Sequence, residues 1–342
     1  MSTLNLAGFE QYRRFFTPSY GYAFAGISGG RTSAVMAALL DDSVQLLFEN
    51  TGREHPGTYD FLRELDRALG GRLIWLEYVK PKTKGAAPKE ATFRRVSYET
   101  ADRSGGPFQS FMETLTEYRA IQKDLPPTAP WPGARLCTAQ MKHKTGERYI
   151  ASLGVNTYTM YVGLRADEPE RVLSLKKQET QARDFMCPLA DAGLTKADVL
   201  RFWQQQNFDL RIAEYQGNCD GCFLKDQADL SRALGEMPDP EFWFFMETAY
   251  PRFGGVTFAG YKQLHNEYRT RLAVESCLRE ALARGLDKKQ AEYVVKPLFK
   301  PDIFKTERRF LNVIRQEYRR CVEGAKAISC SCESSFDSSD LS

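Results

Sequence analysis

Cys219-Asp220-Gly221-Cys222 sets two thiols two residues apart around a glycine, a spacing that lets both reach one centre, and Cys137 and Cys187 lie upstream of the pair. Four thiolates make a full ligand set for an iron-sulfur cluster or a structural zinc; the pair alone makes a redox dithiol or two inert small side chains. A second group, Ser28-Gly29-Gly30-Arg31-Thr32-Ser33, stands between a short apolar run and apolar positions 34–40 with helical spacing. Glycines there let the backbone turn tightly and approach a ligand. The free N–H groups at the start of the next helix point at an anion, with the helix dipole behind them. The stretch matches neither Gly-x-x-x-x-Gly-Lys-Ser/Thr nor Gly-x-Gly-x-x-Gly, and taken alone it is a weak signal that reads first as a simple tight turn.

The elements that must position these groups alternate. Short β-branched, aromatic or aliphatic runs over 22–27, 44–49, 72–79 and 157–163 predict strands, and 32–40, 58–69 and 139–153 predict helices. Strand-helix alternation predicts an α/β fold with a parallel twisted sheet and helices on both faces. After Thr195 the pattern turns helical. Thr195 and Asp198 form a capping pair ahead of Val199, Leu200, Phe202 and Trp203, and further helices are expected over 240–249, 261–283, 288–295 and 305–325. The basic stretch 80–103 has no clear apolar period and reads as an exposed, mobile connection, with a phosphate-backbone contact as the second reading. Prolines in 126–133 exclude helix and central strand and deliver the chain stiffly to Cys137.

At 342 residues the chain exceeds the usual single-domain range. The expected organisation is an α/β domain with the cysteine set over 1–230, a helical domain over 231–325, and a Cys/Ser-rich tail over 326–342 with too little apolar surface to fold alone. The longest apolar run, 34–40, is far shorter than the ~20 residues a membrane span requires. Residues 1–5 show no basic-then-apolar pattern, so a reducing cytoplasm is the expected compartment and the eight cysteines are not expected to form a disulfide framework. A net charge of +3 predicts no nucleic-acid binding unless the cations cluster. The aromatic run Phe242-Trp243-Phe244-Phe245 reads as core or partner-helix packing ahead of a base-stacking surface. Cys277 and Cys321 sit in helical patterns and read as core.

Ser28-Gly29-Gly30-Arg31-Thr32-Ser33 resembles the Ser-Gly-Gly-x-x-Ser pyrophosphate loop of the PP-loop ATP pyrophosphatases and of the phosphoadenosine phosphosulfate (PAPS) reductase family. Glu49-Asn50-Thr51-Gly52-Arg53-Glu54-His55-Pro56-Gly57-Thr58 is similar to that family's Asp-Thr-Gly segment followed by Pro-Glu-Thr, and Gly163-Leu164-Arg165-Ala166-Asp167-Glu168, with Arg171 after it, resembles its Gly-x-Arg segment. The ordered set spans 23–224. The resemblance implies a Rossmann-like PP-loop domain that binds ATP and Mg2+, with Ser28, Gly29, Gly30, Arg31, Thr32, Ser33, Asn50, Thr51, Gly52 and Glu54 around the nucleotide. Arg165, Lys142 and Lys144 are candidates to hold phosphates or a nucleic-acid backbone. Where many ATP pyrophosphatases carry a loop aspartate, this chain has Arg31 and Thr32, which leaves the magnesium without that ligand; Arg31 either lies beside a phosphate or caps the turn and faces solvent.

In the family's iron-sulfur branch a cysteine motif ahead of the Gly-x-Arg segment joins a later Cys-x-x-Cys around a 4Fe–4S cluster. The order Cys137, Gly163 to Arg165, Cys219, Cys222 is similar, but that branch has adjacent cysteines where this chain has one. Cys187 is the candidate fourth ligand; its other reading is a small buried hydrophobe, and zinc is the alternative metal. PAPS and adenylyl-sulfate reductases attack with a mobile C-terminal cysteine in a Glu-Cys-Gly-Leu-His-like segment; here the tail holds Cys330 and Cys332 without it. The function implied is an ATP pyrophosphatase-type sulfurtransferase that adenylates an acceptor, expected to be nucleic acid as in DNA phosphorothioation, supplied by a sulfur-donor protein such as a cysteine desulfurase. The alternatives are a PAPS or adenylyl-sulfate reductase releasing sulfite and a non-catalytic nucleotide- or cluster-binding partner.

Overall fold

The computed structural model describes residues 4–124, 135–250 and 260–295. Six strands, β1 (Ala23–Gly26), β2 (Gln45–Asn50), β3 (Leu73–Val79), β4 (Thr92–Val96), β5 (Tyr158–Val162) and β6 (Arg183–Met186), form one sheet in the order β4-β3-β2-β1-β5-β6. All neighbours are parallel except β3 and β4, which run antiparallel with Glu77 opposite Arg94. The α/β expectation therefore holds, with a mixed rather than purely parallel sheet. The helices in chain order are α1 (Arg31–Leu39), α2 (Pro56–Ala68), α3 (Gly106–Lys123), α4 (Lys144–Ser152), α5 (Pro169–Lys176), α6 (Pro188–Asp191), α7 (Lys196–Gln204), α8 (Gln227–Glu236), α9 (Glu241–Ala249), α10 (Tyr261–Ala283) and α11 (Lys288–Val295).

Period-2 alternation assigns the two faces. Leu46 and Phe48 of β2 and Trp75 of β3 point into the larger core with α1, α2 and α7, whereas Leu47 and Leu76 point the other way, onto Tyr149 and Ile150 of α4. Glu49 and Asn50, the last residues of β2, consequently leave the sheet on opposite faces. The Thr195–Asp198 cap forms as expected: Thr195 N–H donates to Asp198 Oδ2 at 2.9 Å, and Val199, Phe202 and Trp203 are buried behind it.

The stretch 80–103 departs from the expectation of a mobile connection, because it contains the edge strand β4. β4 has only two apolar residues in five, Phe93 and Val96, one on each face. Phe93 lies against Tyr149, while Arg94 turns to the buried carboxylate of Glu77, with Nε to Oε2 at 2.7 Å, so no long apolar period marks it. The helix expected over 139–153 is divided: Cys137–His143 is π-helical and α4 follows.

The chain divides into two compact units, Met1–Phe258 and Ala259–Ser342. α8 and α9 belong to the first, and the described part of the second is the helix pair α10 and α11. The helix expected over 305–325 and the tail with Cys330 and Cys332 lie outside the described residues, as do Cys321 and the proline run 126–133. No described helix is long and apolar enough to cross a membrane.

Candidate functional site

In the sheet β1 and β5 are neighbours, and the chain leaves them in opposite directions, from β1 to β2 and from β5 to β6; this divergence opens a crevice beyond their C-terminal ends. The segment 28–33 stands in it. Gly29 has φ +79°, and a Cβ there would collide with Thr58 of α2, so the turn requires glycine on both counts. Ser33 Oγ closes the loop, accepting from Ser28 N–H and donating to Gly30 O, each at 3.1 Å. Gly30 is the N-cap of α1 and supplies no side-chain cap, so the first-turn N–H groups keep their outward direction toward the crevice. From the β5 side, a Cβ on Gly163 would stand 2.8 Å from Ser33 Cα, which shows how closely the two connections approach. Arg165 Nη1 donates to Thr32 Oγ1 at 3.1 Å.

The structure brings together some of the sequence candidates and separates others. Ser28, Gly29, Gly30, Thr32, Ser33 and Arg165 share the crevice. Arg31 is paired away from the loop. Its guanidinium makes a two-point pair with Asp209 and reaches Leu210 O, all at 2.6–2.8 Å, while its carbonyl accepts from Trp203 Nε1. Lys144 is exposed and paired with Glu147 at 2.6 Å.

Asn50, Thr51, Gly52 and Glu54 form a buried turn that satisfies itself. Asn50 donates to Glu77 Oε1 at 2.7 Å and accepts from Gly52 N–H and from Tyr59 OH. The Glu54 carboxylate accepts from Thr51 N–H and from Thr51 Oγ1, with Lys142 Nζ at 3.5 Å. These side chains hold the shape of the β2 connection.

That connection carries the cysteine loop. Glu54 and Cys219 form an antiparallel bridge, His55 N–H donates to Asn218 O at 2.7 Å, and Asp220 N–H donates to Arg53 O at 3.0 Å. Asn218 Nδ2 then donates to Ser28 O at 3.0 Å, so the cysteine loop is pinned directly onto the glycine loop. The π-helical turn matters here, because its i→i+5 pattern places residues five apart on one face, as Cys137 and Lys142 are. Burial raises the Cys137 thiol and Lys142 opposes the shift; burial also raises Cys219, reinforced by Cys222 and Asp220. At Lys142 burial works downward, but the acidic groups around it, the Glu54 carboxylate first among them, outweigh it and raise the ammonium.

Cys137, Cys219 and Cys222 thus belong to one electrostatic neighbourhood. Cys187 belongs to another: it is fully buried at the start of α6, and burial pushes its thiol up to about 11, with Asp191, Lys176, Glu179 and Glu168 as its charged neighbours. Among the described residues no three or more His, Cys, Asp or Glu side chains stand close enough to hold one metal ion. A single zinc ion therefore finds no ready ligand set here, and Cys187 stands apart from the other three thiols.

Sequence reasoning missed the group that anchors this loop, Arg53. It is 4% exposed, pairs with Asp220 at 2.8 Å and with Asp239 at 3.1 Å, and lies 4.5 Å from the ring centroid of Phe242. Trp243 covers Gly221 and donates from Nε1 to Asp220 Oδ1 at 2.9 Å. The expectation that the aromatic run packs is met at Trp243, which covers the cysteine loop, and at Phe242, which lies over Arg53 and Gly105; Phe245 is exposed. Arg53 stood in the quoted 49–58 segment, but only its distant partners reveal its role. Behind it a cavity of about 330 Å³ opens between α2 and α8, with His55, Tyr59, Tyr98 and Glu236 in its wall.

Fold and crevice together define an α/β protein with an anion-receptive loop at the switch point of its sheet. The chain belongs to the family of the uncharacterised nin region protein ORF290 of Escherichia phage lambda, with which it shares 32% identity over 228 residues, 61% of this chain and 72% of that protein. A crystal structure of PAPS reductase from Candida auris in complex with phosphate aligns over 54% of this chain and 73% of its own, at 18% identity and a TM-score of 0.32. No protein-family model matches the chain.

Proposed function

We propose that this protein is a PP-loop-type nucleotide-cleaving enzyme that adenylates an acceptor for sulfur insertion, the acceptor being a nucleic acid. The observation that carries the reading is the uncapped N-terminus of α1 in the β1/β5 crevice, closed by Ser33 and flanked by Arg165. Backbone N–H groups and a helix dipole in that place bind phosphate without a lysine in the loop. Magnesium, held by the phosphates themselves, would balance the remaining charge.

In the reaction an acceptor oxygen attacks the α-phosphorus of ATP, the bond to the pyrophosphate oxygen breaks, and pyrophosphate leaves with both electrons. A sulfur nucleophile then displaces AMP from the activated acceptor. The first-turn N–H groups stabilise the charge that develops on the leaving pyrophosphate, and Arg165 orients it. Arg165 is itself drawn back by Asp167 at 2.8 Å and Glu168 at 3.3 Å, so binding a phosphate exchanges one anionic partner for another. Lys142 stands with Glu54 and the thiols and serves the sulfur step by holding its ammonium proton beside them. The sulfur donor in this reading is a separate protein, such as a cysteine desulfurase, whose persulfide attacks through its outer sulfur; two equivalents of an external thiol then reduce the S–S bond so formed, leaving sulfur on the acceptor and giving back the donor thiol and a disulfide.

The second reading, reduction of PAPS or adenylyl sulfate to sulfite, uses the same phosphate loop. One experiment separates the two: oxygen-free protein with magnesium, equal ATP, PAPS and adenylyl sulfate, and a thiol reductant. ATP converted to AMP and pyrophosphate without sulfite supports adenylation; sulfite with matching loss of a sulfonucleotide establishes the reductase instead.

A further inference from the structure

Cations gather beside this site. Residues 80–96 contain six lysines and arginines against one glutamate, and 142–148 contain three against one. The fold joins the two segments. Arg148 of α4 donates from Nη2 to Pro88 O at 2.8 Å, and Arg95 of β4 lies 5.9 Å from the ring centroid of Tyr149, on the same sheet face as Phe93. Lys144 and Arg148 are one turn apart on α4 and share a face. A basic band therefore runs from Lys144, just past the π-helical turn, along α4 and across β4 to Lys89, Lys84 and Lys82.

Two features decide what such a band receives. Lys82, Lys84, Lys89 and Arg95 are exposed, and none is held in an ion pair among the described residues, although Glu90 and Glu117 stand in the same stretch of surface. Among the exposed large hydrophobic side chains, none lies in 80–96 or 142–148, and Ile121, against Gly85, is a single apolar side chain at one end of the band. A protein partner needs apolar or aromatic anchors at the centre of its interface, whereas a nucleic acid is held chiefly by neutralising regularly spaced phosphates.

We propose that this band binds the phosphate backbone of a nucleic-acid strand and leads it toward the 28–33 crevice. Binding along the band follows from charge alone; only the destination rests on the function proposed above.

The test uses the full chain and a fluorescent single-stranded oligonucleotide of about 30 nucleotides, long enough to follow a band of several phosphate contacts. Anisotropy is followed across a salt series, with ATP binding measured in parallel. The variant combines Lys82→Gln, Lys84→Gln, Lys89→Gln and Arg95→Gln, all at exposed positions outside the crevice. The expected result is binding whose log K falls linearly with log salt, a slope shallower by about 3 in the variant, and affinity at least ~10-fold weaker at low salt. ATP affinity is expected to stay unchanged. Equal oligonucleotide affinity for variant and parent overturns the proposal, as does polyglutamate competing as well as unlabelled oligonucleotide at equal charge. Oligonucleotide binding that persists where no ATP is cleaved supports the band while removing the adenylating reading, so the two fail separately.

Discussion

Arg31 and Asp209 face each other in a two-point ion pair, Nε to Oδ1 at 2.6 Å and Nη2 to Oδ2 at 2.8 Å, across 178 positions of sequence. The pair ties the first residue of α1 to the segment after α7, and the Arg31 carbonyl holds Trp203 in addition. The guanidinium thus fixes where the helix start stands, and its forked geometry suits a carboxylate better than lysine would. Both side chains are partly exposed, so about 1 kcal/mol of stability is expected from the pair. Arg31→Ala and Asp209→Ala should lower Tm to a similar extent and weaken ATP binding in parallel. A loss of ATP affinity confined to Arg31→Ala would show that the guanidinium touches phosphate directly.

Gly29 is enforced twice, by its positive φ and by Thr58. Gly29→Ala should therefore lower ATP affinity sharply and cost about 2 kcal/mol or more of stability from strain and collision together. Thr58→Ser removes the obstructing methyl, so the double variant should recover part of the stability but not the part due to φ. Thermal unfolding of the four proteins in a cycle measures the two contributions.

Arg53 is the buried hub of the cysteine loop. Removing it leaves Asp220 without its arginine in a buried place, where burial already raises the carboxyl against the pull of Arg53. Arg53→Ala should cost about 3–5 kcal/mol, and Asp220→Asn less, because the amide still accepts from Trp243. Denaturant unfolding gives the energies, and a shift in tryptophan emission reports whether Trp243 has left its place over Gly221.

Glu49 ends β2 on the α4 face. Burial pushes its carboxyl up from 4.5 to about 8 despite the nearby Lys142. The folded value lies above the unfolded one, so the protonated form is favoured in the fold. Its contribution is complete below about pH 4.5 and is lost as pH rises through about 8. Over that window the parent should lose more stability than Glu49→Gln, whose amide does not titrate. Parallel curves of Tm against pH would show that Glu49 has the same affinity for protons folded and unfolded.

Cys187 should behave as an inert core residue. With no exposed surface and a thiol at about 11, it should resist iodoacetamide in the folded protein at neutral pH and react only on unfolding. Mass mapping of alkylated peptides checks this. Modification of native Cys187 at the rate of a free thiol would place it in a reactive setting.

Local signals carried much of this architecture. Strands β1, β2, β3 and β5, the helices that follow β1 and β2, and the Thr195 cap are written in periodicity and capping chemistry, which act between residues a few positions apart. The glycine loop was legible for the same reason: its turn, its closing serine and the start of its helix all lie within six residues. β4 was not legible, because an edge strand faces solvent on one side and its arginine is explained by Glu77 on the neighbouring strand. Tertiary structure alone decided which candidates meet. It committed Arg31 to Asp209, separated Cys187 from the other thiols, turned Lys142 toward Glu54 through a π-helical turn, and made Arg53 the anchor of the cysteine loop. Those outcomes depend on charges and rings brought together from distant parts of the chain, where burial sets the strength of each contact and spacing along the sequence carries no record of it.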